Sequence, residues 1–378
     1  MSRKVEVSTA MSTEVWFAPG RANLMGEHTD YNEGFVLPFA LAQGVTATAT
    51  GRDDGLLVLR SRQRPAEPVV LALDLLAPGS VTGWAAYPAG VAWALRGAGL
   101  DLRGAAIDID SDLPVGAGVS SSAALECSVA LALCSLSGLA VPREKLALLA
   151  KRAENEFVGA PTGIIDQSAA LLCQADHAML LDCRTLATAQ VPFQPAAAGA
   201  SALIVDTRVT HALVSGEYAA RRAECEQAAR LLGVPALGLV TDPAEVDELA
   251  DPVLRRRARH VVTDSLRAQA IAAALQDAPL ADGYPLIGKL LTEGHASLRD
   301  DFEVSWPQAD DAVGVAIEAG AYGAKMIGGG FGGSVLALIP ADRVTVVREA
   351  LQASFANHDW TPPTFLEAIA APAARQLA

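Results

Sequence analysis

Apolar residues along the first hundred or so positions come in short runs broken by polar or glycine-rich stretches. The runs are "EVWFA" (14–18), "GVTATAT" (44–50), "LLVLR" (56–60), "VVLAL" (69–73) and "AAIDID" (105–110). Runs of this length, alternating in several cases, predict strands. "WAAYPAGVAWALRGAG" (84–99) carries a helical pattern that ends near Gly97 or Gly99. In "LPVGAGVSSSAALECSVALALCSLSG" (113–138) a glycine and serine loop leads into an Ala/Leu-rich helix stopped by Gly138. Pro142 suits the first turn of the next helix, where Leu146, Leu149, Ala150, Ala153 and Phe157 share one face and Gly159 ends it.

Strands "AMLLDC" (178–183) and "ASALIVDT" (200–207) follow, separated by "QVPFQPAAAGA", the best candidate for a domain junction. Beyond it come a helix over 211–233 and further helical sequence over 247–275. A helix, a glycine loop and a strand follow over 312–339. Mixed strands and helices throughout predict an α+β or mixed α/β protein. The expected division is a domain over residues 1–195 and a second over 196–378.

Composition narrows the class. The 378 residues suit two domains, and 51% hydrophobic against 19% charged residues excludes disorder. A net charge of −14 lacks the basic footprint of a nucleic-acid binder. The local run "RRRARH" (255–260) is read as a solvated helix face. Five cysteines, with no C-x-x-C pair, argue against a disulfide framework or a zinc site. The first fifteen residues have no apolar export core, and the longest apolar stretch is interrupted by Glu126 and serines. The expectation is a cytoplasmic protein with no membrane or nucleic-acid partner.

Three loops hold the candidate chemistry. "GRANLMGEHTDYNEGFVLP" (20–38) crowds Arg21, Asn23, Glu27, His28, Asp30, Tyr31 and Asn32 between two predicted strands. It reads as a binding loop on rigid flanks, with a solvated turn as the competing reading. "PVGAGVSSSAA" (114–124) has glycines for close approach, serine hydroxyls and a helix start, which together suit a phosphate. It is neither a P-loop nor a dinucleotide fingerprint, and a plain helix-capping turn is the alternative. "GGGFGG" (328–333) needs a ligand or another loop close to its backbone to offset its entropy cost. Asp166, in "PTGIIDQSAALL", reads as an N-cap or as a carboxylate at the floor of a site. Glu154 and Glu156 both flank an apolar helix face, and periodicity does not choose between them.

These strings resemble a known family. "PGRANLMGEHTDYNEGFVLP" is similar to the galactokinase signature. "LPVGAGVSSSAALE" and "KMIGGGFGGSVLALI" resemble the second and third motifs of the GHMP kinases, small-molecule kinases without a P-loop. "NEFVGAPTGIIDQ", "VTHALVSGEYAARRAECE", "RRARHVV" and "GHASLRDDFEVSWP" fall between them in family order, so the likeness spans about residues 14–340. Ala22, Met25, Val119 and Trp306 depart from the usual residues by apolar or neighbouring swaps.

The resemblance implies a two-domain GHMP fold with the site in the cleft, and phosphorylation of galactose at C1 by Mg-ATP. It implies that Glu27, His28, Asp30, Gly163 and Tyr218 form the sugar pocket. Asp166 would be the catalytic carboxylate and Arg21 its partner. Gly116, Gly118, Ser120, Ser121 and Ser122 would wrap the nucleotide phosphates, with Trp84 near the adenine. Ser122 and Glu154 resemble the Mg²⁺ ligands. The Ser122–Ala123 pair argues against a non-catalytic galactose/ATP sensor, and a kinase for N-acetylgalactosamine or arabinose is the other alternative. A monomer is expected, with a dimer as the alternative.

Overall fold

A computed structural model describes residues 13–114, 116–210, 215–277 and 280–377. Residues 1–12 of the expected first domain, Val115, and residues 211–214 at the expected start of a helix lie outside the described residues. The chain begins with β1 (Thr13–Asn23), β2 (Phe35–Val36), β3 (Pro38–Arg52), β4 (Leu56–Ser61), β5 (Arg64–Ala72), α1 (Ala86–Gly97) and β6 (Gly104–Ser111). Next come α2 (Ser121–Leu136), α3 (Arg143–Arg152), α4 (Ile165–Leu172), β7 (His177–Asp182), β8 (Thr188–Pro192) and β9 (Ala200–Asp206). Helices α5 (Ser215–Leu231), α6 (Pro252–Asp277), α7 (Leu280–Asp300) and α8 (Pro307–Glu318) follow. The remainder is β10 (Gly323–Ile327), β11 (Ser334–Pro340), α9 (Val344–Asn357), β12 (Thr364–Glu367) and β13 (Arg375–Leu377).

Among the described residues the strands form a six-stranded sheet in the order β13-β1-β3-β6-β4-β5, a four-stranded sheet β10-β11-β9-β12, and a small sheet β2-β7-β8. In β3, Val45, Ala47 and Ala49 are buried while the threonines between them are half-buried, the period of a strand with one face on a core. Helix α2 is apolar almost all round and lies between that sheet and its neighbouring helices. One core gathers the large sheet with α1–α4 and part of α6 and α7. A second, drawn from residues 203–355, lies among β9–β11, α5, α6, α8 and α9. No described helix is long and apolar enough to cross a membrane.

Three local expectations change. Helix α3 stops at Arg152 and continues as a π-helical turn, Ala153–Val158, instead of running unbroken to Gly159. Asp166 is not a cap: it is the second residue of α4, and its carboxylate faces Arg21. The run "RRRARH" is not a solvated face. Arg257 is 2% exposed and His260 fully buried. Arg257 pairs with Glu224 at 2.7 Å and with Glu303, and His260 reaches the Glu27 carbonyl.

Candidate active site

Strand β1 ends in the polar loop, and strand alternation puts Arg21 and Asn23 on one side of it. The loop is tied down from within: Thr29 Oγ1 bonds the carbonyls of Gly26 and Phe35 at 2.8 Å, and Asn32 Nδ2 donates to the His28 carbonyl at 2.7 Å. Gly26 has φ +101°, and a Cβ there would stand 2.5 Å from the Phe35 carbonyl oxygen, so the turn requires glycine. Glu27, His28, Asp30 and Asn32 are all buried, which rules out the solvated-turn reading.

A cavity of about 180 Å³ opens beside this loop. Arg21, Asn23, Glu27, His28 and Asp30 line it together with Thr162, Gly163, Asp166, Tyr218 and Gly329. Seven of the site residues singled out from the sequence therefore meet at one place, from three separate stretches of chain. Arg21 Nε lies 2.8 Å from Asp166 Oδ1, a close ion contact whose geometry is bent away from a linear hydrogen bond. Asp30 accepts from the backbone N–H of Tyr31 at 2.9 Å and of Ile165 at 3.3 Å, which ties the polar loop to the start of α4. Its carboxylate occupies the space a Cβ on Gly163 would fill. Burial, reinforced by the charge of Asp166, raises the Asp30 pKa.

His28 sits in left-handed backbone geometry, φ 64°. Its Nε2 donates to the Gly329 carbonyl at 3.1 Å, and its Nδ1 accepts from the Tyr31 hydroxyl at 2.9 Å. Burial pushes its pKa down to about 3, so the ring is neutral and both nitrogens are engaged within the protein. Tyr218, near the start of α5, packs its ring 5.2 Å from that of His28. Glu27 pairs through Oε2 with the fully buried Lys325 on β10, and Lys325 also donates to the Asn23 carbonyl at 3.3 Å. Burial raises the Glu27 pKa, and the nearby ammonium works against the rise.

The second and third loops lie against each other. Gly116 and Gly118 have φ of +78° and +71°, and a Cβ on Gly328 would stand 3.2 Å from the Gly118 carbonyl. Ser334 Oγ donates to the Ala117 carbonyl at 2.7 Å, and Arg21 Nη1 to the Gly118 carbonyl at 2.6 Å. The six glycine-rich residues 328–333 are thus held close to another backbone, as their entropy cost requires. Helix α2 starts at Ser121 with no side-chain cap, and the buried Ser120 Oγ has no partner among the described residues. Its first-turn N–H groups remain open to an anion.

Glu154 and Glu156 separate cleanly. The π turn aims Glu154 inward, 4% exposed, while Glu156 stays out in an i,i+4 pair with Arg152 at 2.9 Å. Glu154 Oε2 accepts from Thr162 Oγ1 at 2.7 Å and from Gln167 Nε2 at 2.8 Å. The same Gln167 nitrogen donates to the buried Glu126 at 3.0 Å. Burial raises the pKa of both glutamates, and each adds to or meets further negative charge. A hydrogen bond from Ser122 works in the opposite direction on Glu154. Trp84 lies in a turn ahead of α1, half-buried against the first core. Trp84, Gly116, Gly118, Ser120, Ser121, Ser122 and Glu154 do not line the 180 Å³ cavity.

Sequence reasoning placed Asn23 in the polar loop and Gly329 in the glycine loop without giving either a role, and did not single out Thr162, Gln167, Glu126 or Lys325. Lys325 carried a signal: a lone charge inside the apolar strand "GAKMI" has to be paired. Gln167 and Glu126 carried none, since only the fold brings them together.

The chain is similar to known proteins along nearly its whole length. Residues 7–50 match the galactokinase galactose-binding signature, 86–174 the GHMP kinases N terminal domain, and 268–357 the GHMP kinases C terminal family. The chain is 49% identical over 367 residues to a galactokinase of Streptomyces coelicolor, covering 96% of this chain and 94% of that one. It is 45% identical to a galactokinase of Mycobacterium tuberculosis, covering 95% and 98%. The solved structure of Lactococcus lactis galactokinase complexed with galactose superposes with a TM-score of 0.92 at 33% identity, over 97% of this chain and 95% of that one. A mevalonate kinase structure at 16% identity and a TM-score of 0.65 shares the fold. The chain belongs to the galactokinase family, ATP-dependent phosphotransferases of the GHMP superfamily.

Proposed function

We propose that this chain transfers the γ-phosphoryl group of ATP to the C1 hydroxyl of D-galactose. The observation that carries the reading is the Arg21–Asp166 pair, 2.8 Å apart, standing where the sugar-loop cavity meets the loop that Arg21 Nη1 grips at Gly118. The cavity is small beside the roughly 300–1,000 Å³ of drug-sized pockets and is lined with carboxylates and amides, which suits a compact polyol. Glu27, His28, Asp30, Gly163 and Tyr218 form its walls. Among them His28 acts by fixing the loop and Tyr218 by closing one side.

Asp166 orients the attacking hydroxyl and takes its proton. In a loose phosphoryl-transfer transition state that proton leaves late, so a carboxylate suffices. Arg21 holds the carboxylate in place through their 2.8 Å contact and offsets charge on the transferring group. Gly116, Gly118 and Ser120–Ser122, with the N-terminus of α2, receive the ATP phosphates, and Trp84 borders the adenine. Ser122 and Glu154 fit Mg²⁺: a buried carboxylate among acidic neighbours, with a hydroxyl beside it, is a hard-oxygen site lacking its cation. The metal, when bound, neutralises phosphate charge. The reading also comprises a division at 195/196, with every residue of the second core on its far side, and a cytoplasmic monomer with five buried free thiols.

The test is ADP release from purified protein with MgATP and a panel of galactose, glucose, N-acetylgalactosamine and L-arabinose. D-Galactose is expected to give the highest kcat/KM, with glucose very poor because a pocket reading the axial C4 hydroxyl leaves buried groups unpaired with the epimer. A preference for N-acetylgalactosamine or arabinose would move the chain to another sugar. No turnover with galactose bound would make it a sensor.

A further inference from the structure

Two polar groups lining the cavity have no hydrogen-bond partner among the described residues. Asn23 is 1% exposed, and neither its carboxamide oxygen nor its nitrogen makes a hydrogen bond. Glu27 Oε1 is likewise buried and free, its other oxygen being held by Lys325. Both residues line the cavity. A buried polar group without a bond costs about 1–3 kcal/mol, and native proteins rarely leave a whole carboxamide unsatisfied.

The backbone of Asn23 leaves little room for another explanation. The residue pairs with Pro38 across β1 and β3, and its carbonyl accepts from Lys325 Nζ at 3.3 Å. Alternation keeps its side chain on the side of Arg21, which itself reaches Asp166. A carboxamide offers a donor and an acceptor side by side, and a hydroxyl is the group that can answer both at once.

We infer that Asn23 is a further sugar-contacting residue, its carboxamide exchanging hydrogen bonds with one hydroxyl of the sugar in the cavity. The inference rests on the galactose reading above. It adds a contact from the strand end itself, ahead of the Glu27–Asp30 stretch. It also accounts for an unpaired polar side chain at the last position of a buried strand end.

The experiment compares wild type with Asn23→Ala and Asn23→Asp. Dissociation constants for galactose and for ATP are measured separately by calorimetry, then galactose is replaced by each of its monodeoxy derivatives. Asn23→Ala is expected to weaken galactose about tenfold while ATP binding stays within twofold. For one deoxygalactose, the sugar lacking the contacted hydroxyl, the penalty should shrink to within twofold. Ligand-free thermal stability of Asn23→Ala should be equal to or above wild type, because the substitution removes an unsatisfied amide. Asn23→Asp keeps the size and acceptor but loses the donor, and should fall between wild type and Ala.

Galactose binding unchanged in Asn23→Ala overturns the inference. So does a penalty equal across all the deoxy sugars, or a clear loss of ligand-free stability, since either marks a structural residue. Wild type is measured first. If it binds no galactose, the proposed function fails and this contact with it. If it binds and the variant does not differ, only the contact fails.

Discussion

Glu154 and Glu156 stand two positions apart with the same chemistry and opposite surroundings. One is buried under Thr162 and Gln167; the other pairs with Arg152 in solvent. Glu154→Ala should lower kcat/KM for MgATP by roughly tenfold or more while galactose affinity holds. Glu156→Ala should change neither beyond twofold, since an exposed i,i+4 pair is worth only about 0.3–0.5 kcal/mol. Steady-state kinetics on both variants check this, and a large effect at Glu156 alone would refute the assignment. Asp166→Asn removes the proton acceptor but preserves shape, so turnover should fall by about 10²–10⁴ with galactose and ATP still bound. Near-normal turnover would remove Asp166 from the chemistry. Lys325 acts one step away: it holds Glu27 and the Asn23 carbonyl and lines no part of the cavity. Lys325→Met should raise KM for galactose more than it lowers kcat, and Lys325→Arg should restore most of the loss. Equal effects on KM for both substrates would mean a general packing defect instead.

Helix α6 clamps the sugar loop from behind. His260 donates through Nε2 to the Glu27 carbonyl at 3.0 Å, Asp264 accepts from the Gly26 N–H at 3.0 Å, and Ser265 accepts from the Phe35 N–H at 3.2 Å. Positions 260 and 264 share a helix face, so one helix sets both sides of the Gly26 turn. Asp264→Ala would leave that buried N–H and the Arg267 guanidinium short of a partner, costing about 1–3 kcal/mol of stability. It should raise KM for galactose with little change for ATP, and Asp264→Asn, still an acceptor, should recover part of both. If only stability moves, the helix supports the loop without shaping the sugar pocket. The charge run preceding this face was legible in the sequence, but its burial was not. A string of arginines looks solvated until Glu224 and Glu303, distant in the chain, are brought to Arg257. Helix α7 was hidden for the opposite reason: Pro285, Gly288 and Gly294 punctuate it like a loop. Those glycines answer tertiary contacts. A Cβ on Gly288 would collide with the Tyr322 backbone, and one on Gly294 would stand 2.8 Å from Met25 Sδ. The alternating run 44–50 of β3 and the Ala/Leu-rich α2, stopped by Gly138, were read directly.

At the scale of the whole molecule the sequence showed the motifs but not how they meet. Residues 21–30, 163–166, 218 and 328–329 converge on one cavity, and β13 returns to pair with β1. That assembly buries titratable groups, which makes stability depend on pH in two opposed ways. His28 and His260 both have pKa pushed down to about 3 by burial. Below about 6.5 the unfolded chain takes up protons that the folded protein refuses, so stability is lost as pH falls from there toward 3. Glu27, Asp30, Glu154 and Asp264 are raised by burial. They bind protons in the folded state that the unfolded chain has released, so their contribution falls as pH rises above the ordinary carboxylate range. The two sets are separable by substitution. At pH 5 each histidine should have removed about 2 kcal/mol relative to pH 7, from 1.5 pH units at about 1.4 kcal/mol each. His260→Gln, a neutral side chain able to donate to the Glu27 carbonyl, lacks that term. The stability advantage of wild type over His260→Gln should therefore be about 2 kcal/mol smaller at pH 5 than at pH 7 in urea unfolding. An advantage that stays constant across that range would mean that His260 titrates normally in the folded protein, and that the contact between α6 and the sugar loop opens to water.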